Sequence, residues 1–349
     1  MVHSHSSPGP HALHECLSRR SLLRRIARGA TAGALIAPLS ACAHLLEPDP
    51  PPGVTIIEAP PIPLATVDAT PDPTPMAMPT PPDVQLNPAE IGQGETVLIV
   101  VRQPAASAGS IELLGQRMPL IRDRDALWAI AGAGLLTPVG AYEATVTTRN
   151  AEGAVLHTAA VPYSVVPVDR PVDYLIASPE VTAVLTVEAA ETEAALRAYE
   201  QFNLFESRPR WSGPIQQPCE GIITTAFGQG RSTNGGPVTG QHSGTDIANI
   251  SGTPIVAATD GRIAWAGWMP IRGNSVLVDH GAGVVTGYHH LLRADIETGR
   301  DVRAGDQIGR MGSTGFSTGP HLHWEMTIFG VNVDPMTWTT RDFSPSPAT

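Results

Sequence analysis

The sequence predicts a mostly β protein: an immunoglobulin-like β sandwich, a short linking helix, then a further β-rich, turn-rich segment. Three observations predict this class. Residues 84–168 carry short apolar runs parted by turn signals at the spacing of a sandwich: Thr96–Arg102, Ser110–Leu114, Ala126–Ala131, Tyr142–Thr148 and Val155–Val166. The 349-residue chain holds 34 Gly and 34 Pro but only 16% charged residues, which excludes a coiled coil or a Glu- and Lys-rich bundle. Helical spacing is clearest in one stretch, where Thr186 precedes Glu188, Glu191 and Glu193, and Leu196, Tyr199 and Phe202 come after. This predicts a helix over about 187–203 whose acidic first turn suits the macrodipole.

Charge narrows the function classes. The net charge is −11 and all 22 basic residues are Arg, five of them before residue 30. A phosphate-backbone binder draws its affinity from clustered Lys and Arg, so nucleic acid is not an expected partner. Of the three cysteines, Cys16 and Cys42 fall at the amino terminus, leaving Cys219 without a disulfide partner. Nothing around Cys219 would activate a thiol, so it reads as a small buried residue.

The amino terminus reads as an address. Ser18-Arg19-Arg20-Ser21-Leu22-Leu23-Arg24 resembles a twin-arginine export signal, and the apolar stretch Gly29–Leu39 is too short to span a bilayer. It ends in Leu39-Ser40-Ala41-Cys42, which resembles the lipobox of bacterial lipoproteins. That resemblance implies a signal peptide over 1–41, acylation of Cys42, and a lipid-membrane anchor. By resemblance to lipoprotein sorting in two-membrane bacteria, Ala43 then favours an outer-membrane position facing the periplasm where two membranes exist. Thirteen prolines between Glu47 and Asp83 make residues 42–83 an extended tether.

Residues 84–168 show no cluster of titratable groups, and His157 stands alone. Residues 169–217 link the sandwich to the carboxy-terminal third of the chain, with Arg208-Pro209-Arg210-Trp211 ending the helix. The chemistry lies in that last third. Six of the twelve histidines fall between residues 242 and 323: His242, His280, His289, His290, His321 and His323. In Pro320-His321-Leu322-His323-Trp324-Glu325 the two imidazoles share one face of a strand. His242-Ser243-Gly244-Thr245-Asp246 adds an imidazole and a carboxylate. Two His and one carboxylate, with a position left for water, form the ligand set of a hydrolytic zinc site. The same parity rule puts Tyr288 and His290 on one face and His289 on the other. His280, in the turn-like Asp279–Gly283, reads as a hairpin residue.

From Gly221 to about Trp338 the chain resembles the lysostaphin/LytM-type zinc metallopeptidases of bacterial cell walls. The matching residues are Ile222-Thr224-Phe227-Gly228, His242-x-Gly244-x-Asp246, Gly252-Thr253-Pro254, Asp260-Gly261, Val278-Asp279-His280-Gly281-x-Gly283 and Tyr288-x-His290-Leu291. The run Gly312-Ser313-Thr314-Gly315-x-Ser317-Thr318-Gly319-Pro320-His321-Leu322-His323-Trp324-Glu325 closes the match. The resemblance implies an antiparallel β-sheet peptidase domain over 218–340 with a zinc groove, and residues 341–349 are expected to form a flexible tail. It implies Zn²⁺ bound by His242, Asp246 and His323, with His290 and His321 as the catalytic pair. The implied activity is hydrolysis of peptide cross-links between peptidoglycan stem peptides. Two alternatives come with it: a non-catalytic regulator that partners another wall hydrolase, and a lipoprotein whose zinc is only structural. Members of the family often place a Tyr in the loop before the first ligand. Here that loop is Arg231-Ser232-Thr233-Asn234-Gly235-Gly236, so Thr233, Asn234 or water is expected to take its place.

Overall fold

Alternation of apolar and polar residues builds the first sheet. The computed structural model describes residues 80–202 and 208–345. The expected signal peptide, Cys42 and nearly all of the proline-rich tether lie outside the described residues, as do the side chains of Tyr199 and Phe202. Eight strands form the amino-terminal part: β1 (Asp83–Asn87), β2 (Glu90–Gly92), β3 (Thr96–Arg102), β4 (Ala108–Leu113), β5 (Gln116–Asp123), β6 (Ala126–Gly132), β7 (Gly140–Arg149) and β8 (Val155–Val166). They pair in the order β1-β3-β6-β5-β4-β7-β8-β2. The runs read from sequence are strands.

Their pairing differs from two separate sheets. The first residues of β5 pair with β4 and its last three with β6, so one strand passes from one layer to the other. On the far side β1 pairs with β3 and β2 with β8, only two residues of chain apart. The result is a barrel-like continuous sheet.

β3 and β6 are apolar at nearly every position because both faces are covered. Val97, Ile99, Val101, Leu127, Ala129 and Ala131 fill the barrel interior. Leu98, Val100, Trp128 and Ile130 face outward and join the core of the carboxy-terminal sheet.

After the barrel come β9 (Val172–Leu175), the one-turn α1 (Pro179–Thr182) and α2 (Val187–Phe202). The second half then supplies β10 (Ile222–Thr225), β11 (Gly230–Thr233), β12 (Val238–Gln241), β13 (Thr245–Ala248), β14 (Pro254–Val256) and β15 (Gly261–Met269). It continues with β16 (Gly273–Asp279), β17 (Val284–Ala294), β18 (Asp301–Val302), β19 (Gln307–Met311), β20 (His321–Ile328), β21 (Val331–Val333) and α3 (Pro335–Trp338). The main sheet runs β10-β13-β20-β17-β16-β15-β18, while β9 adds to the β11–β12 hairpin as a parallel third strand.

The two sheets share one core in a single compact unit. Trp211 sits edge-on to both Trp128 (6.2 Å) and Trp338 (5.4 Å), and Trp338 packs on Phe343. The indole N–H of Trp338 donates to Thr96 Oγ1 at 2.9 Å, tying α3 to β3. Trp338→Ala is therefore expected to cost about 3–5 kcal/mol in urea unfolding, whereas the exposed Leu136→Ala shifts stability by no more than about 0.5 kcal/mol.

Candidate active site

Two paired strands carry the first half of the site. In the β13–β20 pairing Asp246 stands opposite His323 and Ala248 opposite His321, so all three polar groups share one face. That face must be approached closely. A side-chain carbon at Gly244 would lie 2.4 Å from Trp324 O, which is why glycine separates His242 from Asp246. His242 precedes β13, held by its backbone N–H to Gln229 O at 2.8 Å.

The donor atoms converge. His242 Nε2, Asp246 Oδ1 and His323 Nδ1 lie 2.7–3.0 Å from one another. They form a buried group that could hold a metal ion. The outer ring nitrogens explain which inner ones are available. His242 Nδ1–H donates to Ala226 O (3.0 Å), which leaves the Nε2 lone pair facing inward. His323 Nε2–H donates to Glu325 Oε1 (2.8 Å), directing Nδ1 at the group. The second oxygen of Asp246 accepts from Arg231 Nη2 at 2.9 Å, so Oδ1 is the oxygen that points in.

His290 arrives by a different route. Asn274 pairs with Leu291 and Val276 with Tyr288, so β17 carries one extra residue against β16. This bulge sits at His289-His290, and His290 takes φ +59°, a left-handed conformation uncommon for a side chain of its size. Its backbone N–H donates to Arg272 O, and its Nδ1–H donates to Thr314 O at 2.7 Å. His321 Nδ1–H donates to Gly319 O at 2.8 Å, and its Nε2 lies 3.8 Å from Asp246 Oδ1. The two rings are 4.9 Å apart, each with Nε2 left over. They border a groove of about 530 Å³ with His242, Asp246 and His323 in its wall and Arg231, Arg272 and Phe316 around it.

Strand parity fails at the bulge. His289 pairs with His323 and lies on the site side, behind it, with its Nδ1 2.9 Å from Ser275 Oγ. Tyr288 lies on the opposite face, in the core, its hydroxyl accepting from Ala258 N. His290 reaches the site because the bulge turns it there, not because it shares a face with Tyr288.

His280 is bonded to Asp260 O and Thr286 Oγ1 away from the site. Burial pushes the Cys219 thiol up to about 12, which suits a buried spectator. Asn234 spends its side chain on the backbone of Ala177, donating at 3.0 Å and accepting at 2.9 Å. In the loop expected to present Thr233 or Asn234, the side chain that lines the groove is Arg231.

The electrostatics suit cation binding. Burial would raise the Asp246 carboxyl, but hydrogen bonds from His242 and His323 hold it well below the ordinary carboxylate range. Burial lowers His242 and His321, and burial together with the neighbouring imidazoles holds His290 well below its ordinary value. His323 differs: burial pulls it down, but Asp246 and Glu325 raise it overall.

Residues 240–335 match peptidase family M23. The chain carries an M23 peptidase domain, of the LytM/lysostaphin family. Peptidoglycan DD-endopeptidase ShyC of Vibrio cholerae is 43% identical over 104 residues, 29% of this chain and 24% of ShyC. DD-carboxypeptidase/endopeptidase Mpg of Neisseria meningitidis is 46% identical over 95 residues, 27% of this chain and 22% of Mpg. The match thus spans about a quarter of the length of those relatives. A Pseudomonas aeruginosa crystal structure attributed to peptidase M23 is 26% identical with a TM-score of 0.50. It covers 70% of this chain and 93% of its own, so the likeness extends beyond residues 240–335 of the M23 match.

A raised His323 means that the metal-free group holds a proton that a metal must displace, while His242 is already neutral and Asp246 already ionised. Metal affinity is expected to rise with pH through the raised His323 pKa, with protons released on binding below that pKa. Titration calorimetry in buffers of different ionisation enthalpy reads that proton. Uptake with no proton release would contradict the arrangement.

Proposed function

We propose that this chain is a zinc-dependent endopeptidase that hydrolyses peptide cross-links of bacterial peptidoglycan. The observation that carries the reading is the meeting of two imidazoles and one carboxylate beside two further imidazoles that each keep Nε2 free toward the same groove. His242 Nε2, Asp246 Oδ1 and His323 Nδ1 are the donor set of a hydrolytic zinc site. Zinc held there supplies Lewis acidity, bringing the pKa of water toward about 7 and polarising a carbonyl.

The remaining work belongs to side chains. Burial keeps His290 and His321 neutral at physiological pH, so their Nε2 atoms are proton acceptors. One takes the proton of the attacking water, and the imidazolium so formed returns it to the leaving amine as the peptide bond breaks. Arg231 engages Asp246 Oδ2, which leaves Oδ1 to face the two imidazoles. All five positions being present supports catalysis over a purely regulatory role.

The name of ShyC supports peptidoglycan as substrate, and that of Mpg supports endopeptidase activity. The twin-arginine-like leader and Leu39-Ser40-Ala41-Cys42 support an exported enzyme anchored to the membrane through an acylated Cys42, on the outer membrane facing the periplasm where two membranes exist. The proline-rich tether of residues 42–83 gives it reach toward the wall.

Purified peptidoglycan digested with the zinc-loaded chain is expected to lose its cross-linked dimers in muropeptide mass spectrometry, and Asp246→Ala to leave them intact. Cross-linked dimers unchanged while zinc is bound would sink the reading. Separately, His290→Ala and His321→Ala should retain zinc yet lose about 10²–10⁴-fold in turnover. Loss of zinc in either variant would assign that imidazole to the metal instead.

A further inference from the structure

Helix α2 lies outside residues 240–335, yet two of its side chains reach the groups that hold the site. Glu193 is buried, with its side chain 3% exposed. Its Oε2 accepts from the backbone N–H of Ile271 (2.8 Å) and Arg272 (3.1 Å), and its Oε1 pairs with the Arg272 guanidinium. Arg272 in turn donates through Nη2 to Glu325 Oε1 at 2.5 Å. Arg197 reaches the other oxygen of Glu325, Oε2, at 2.8 Å. The four groups alternate in sign along the line Glu193, Arg272, Glu325, Arg197.

The line ends at the chemistry in two places. Glu325 Oε1 accepts the Nε2–H of His323, which fixes the ring so that Nδ1 faces Asp246. Arg272 O accepts the backbone N–H of His290 at the left-handed residue of the bulge. The Glu325 carboxylate is buried, and a guanidinium holds each of its oxygens: Arg272 on Oε1 and Arg197 on Oε2. Without one of them a Glu325 oxygen loses its charged partner and the carboxylate is free to turn, and the His323 ring loses the acceptor that sets its orientation.

We propose that Glu193 and Arg197 are positioning residues of the active site, acting through Arg272 and Glu325 on His323 and through the backbone of residues 271–272 on His290. The M23 segment is then completed by a helix that precedes it in the chain. This role rests on the chain being a zinc peptidase.

The test uses the full chain and the variants Glu193→Gln, Arg197→Met and Arg197→Lys. Zinc affinity is read by chelator competition, and the visible spectrum is read with Co²⁺ in place of zinc. Outer partners of metal-bound His are typically worth about 10–100-fold in affinity or activity. Glu193→Gln and Arg197→Met are expected to weaken zinc by that factor, to shift the cobalt spectrum and to lower kcat with KM little changed. Arg197→Lys keeps the cation and should recover most of the affinity. Both non-conservative variants folding with wild-type affinity and spectrum would overturn the proposal, and so would Arg197→Lys failing as badly as Arg197→Met. If Glu193→Gln does not fold, the Arg197 pair decides. Wild-type chain that binds no zinc would instead overturn the functional reading itself.

Discussion

The pairing of β13 with β20 is the constraint on which the site depends. Antiparallel register sets Asp246 directly across from His323, and the period of two along β20 brings His321 onto the same face. A slip of one residue would turn His321 and His323 into the core and Leu322 into the groove. The core prevents that slip: Leu322, Trp324 and Met326 are buried on the other face among Ile247, Tyr288 and Val276. Hydrophobic packing on one side of the sheet therefore fixes the geometry of the donor groups on the other.

The second constraint is local strain at His289-His290. A regular β17 would present His289 and not His290 to the groove, and the extra residue turns His290 there at the cost of a left-handed backbone. Three fixed contacts hold it: His290 N to Arg272 O, His290 Nδ1 to Thr314 O, and Thr314 Oγ1 to Leu291 O. The 312–319 loop that supplies Thr314 packs tightly under Gly273, where a side-chain carbon would lie 2.2 Å from Thr314 Oγ1. The geometry of the candidate site comes from close backbone approaches as much as from side chains.

Much of this is legible in the residues. His242, Asp246, His321 and His323 announce themselves by type and spacing, and β3, β8 and α2 come directly from apolar period and capping residues. His290 is reached only by resemblance, because period-two parity alone gives the wrong face where an extra residue breaks the register. β5 carries a weak signal since Pro119 and two arginines interrupt its apolar pattern, although Met118 and Leu120 do alternate inward. The passage of β5 between layers, which turns a sandwich into a barrel-like sheet, has no sequence mark. Glu325 stands two residues beyond His323 on the same strand, so parity is enough to place it behind the site. Arg231, Arg272 and Glu193 are brought in by tertiary folding alone, across separations as large as the 79 residues between Glu193 and Arg272.

A hydrolytic centre differs from a structural one in leaving a coordination position open. The most direct measurement is the crystal structure of the zinc-loaded chain, with anomalous scattering collected at the zinc edge. One ion bound by His242 Nε2, Asp246 Oδ1 and His323 Nδ1 at about 2.0–2.2 Å, with a solvent molecule in the groove as its remaining ligand, is the predicted result. A fourth protein ligand closing the coordination, or an ion held by a different set of side chains, would contradict it.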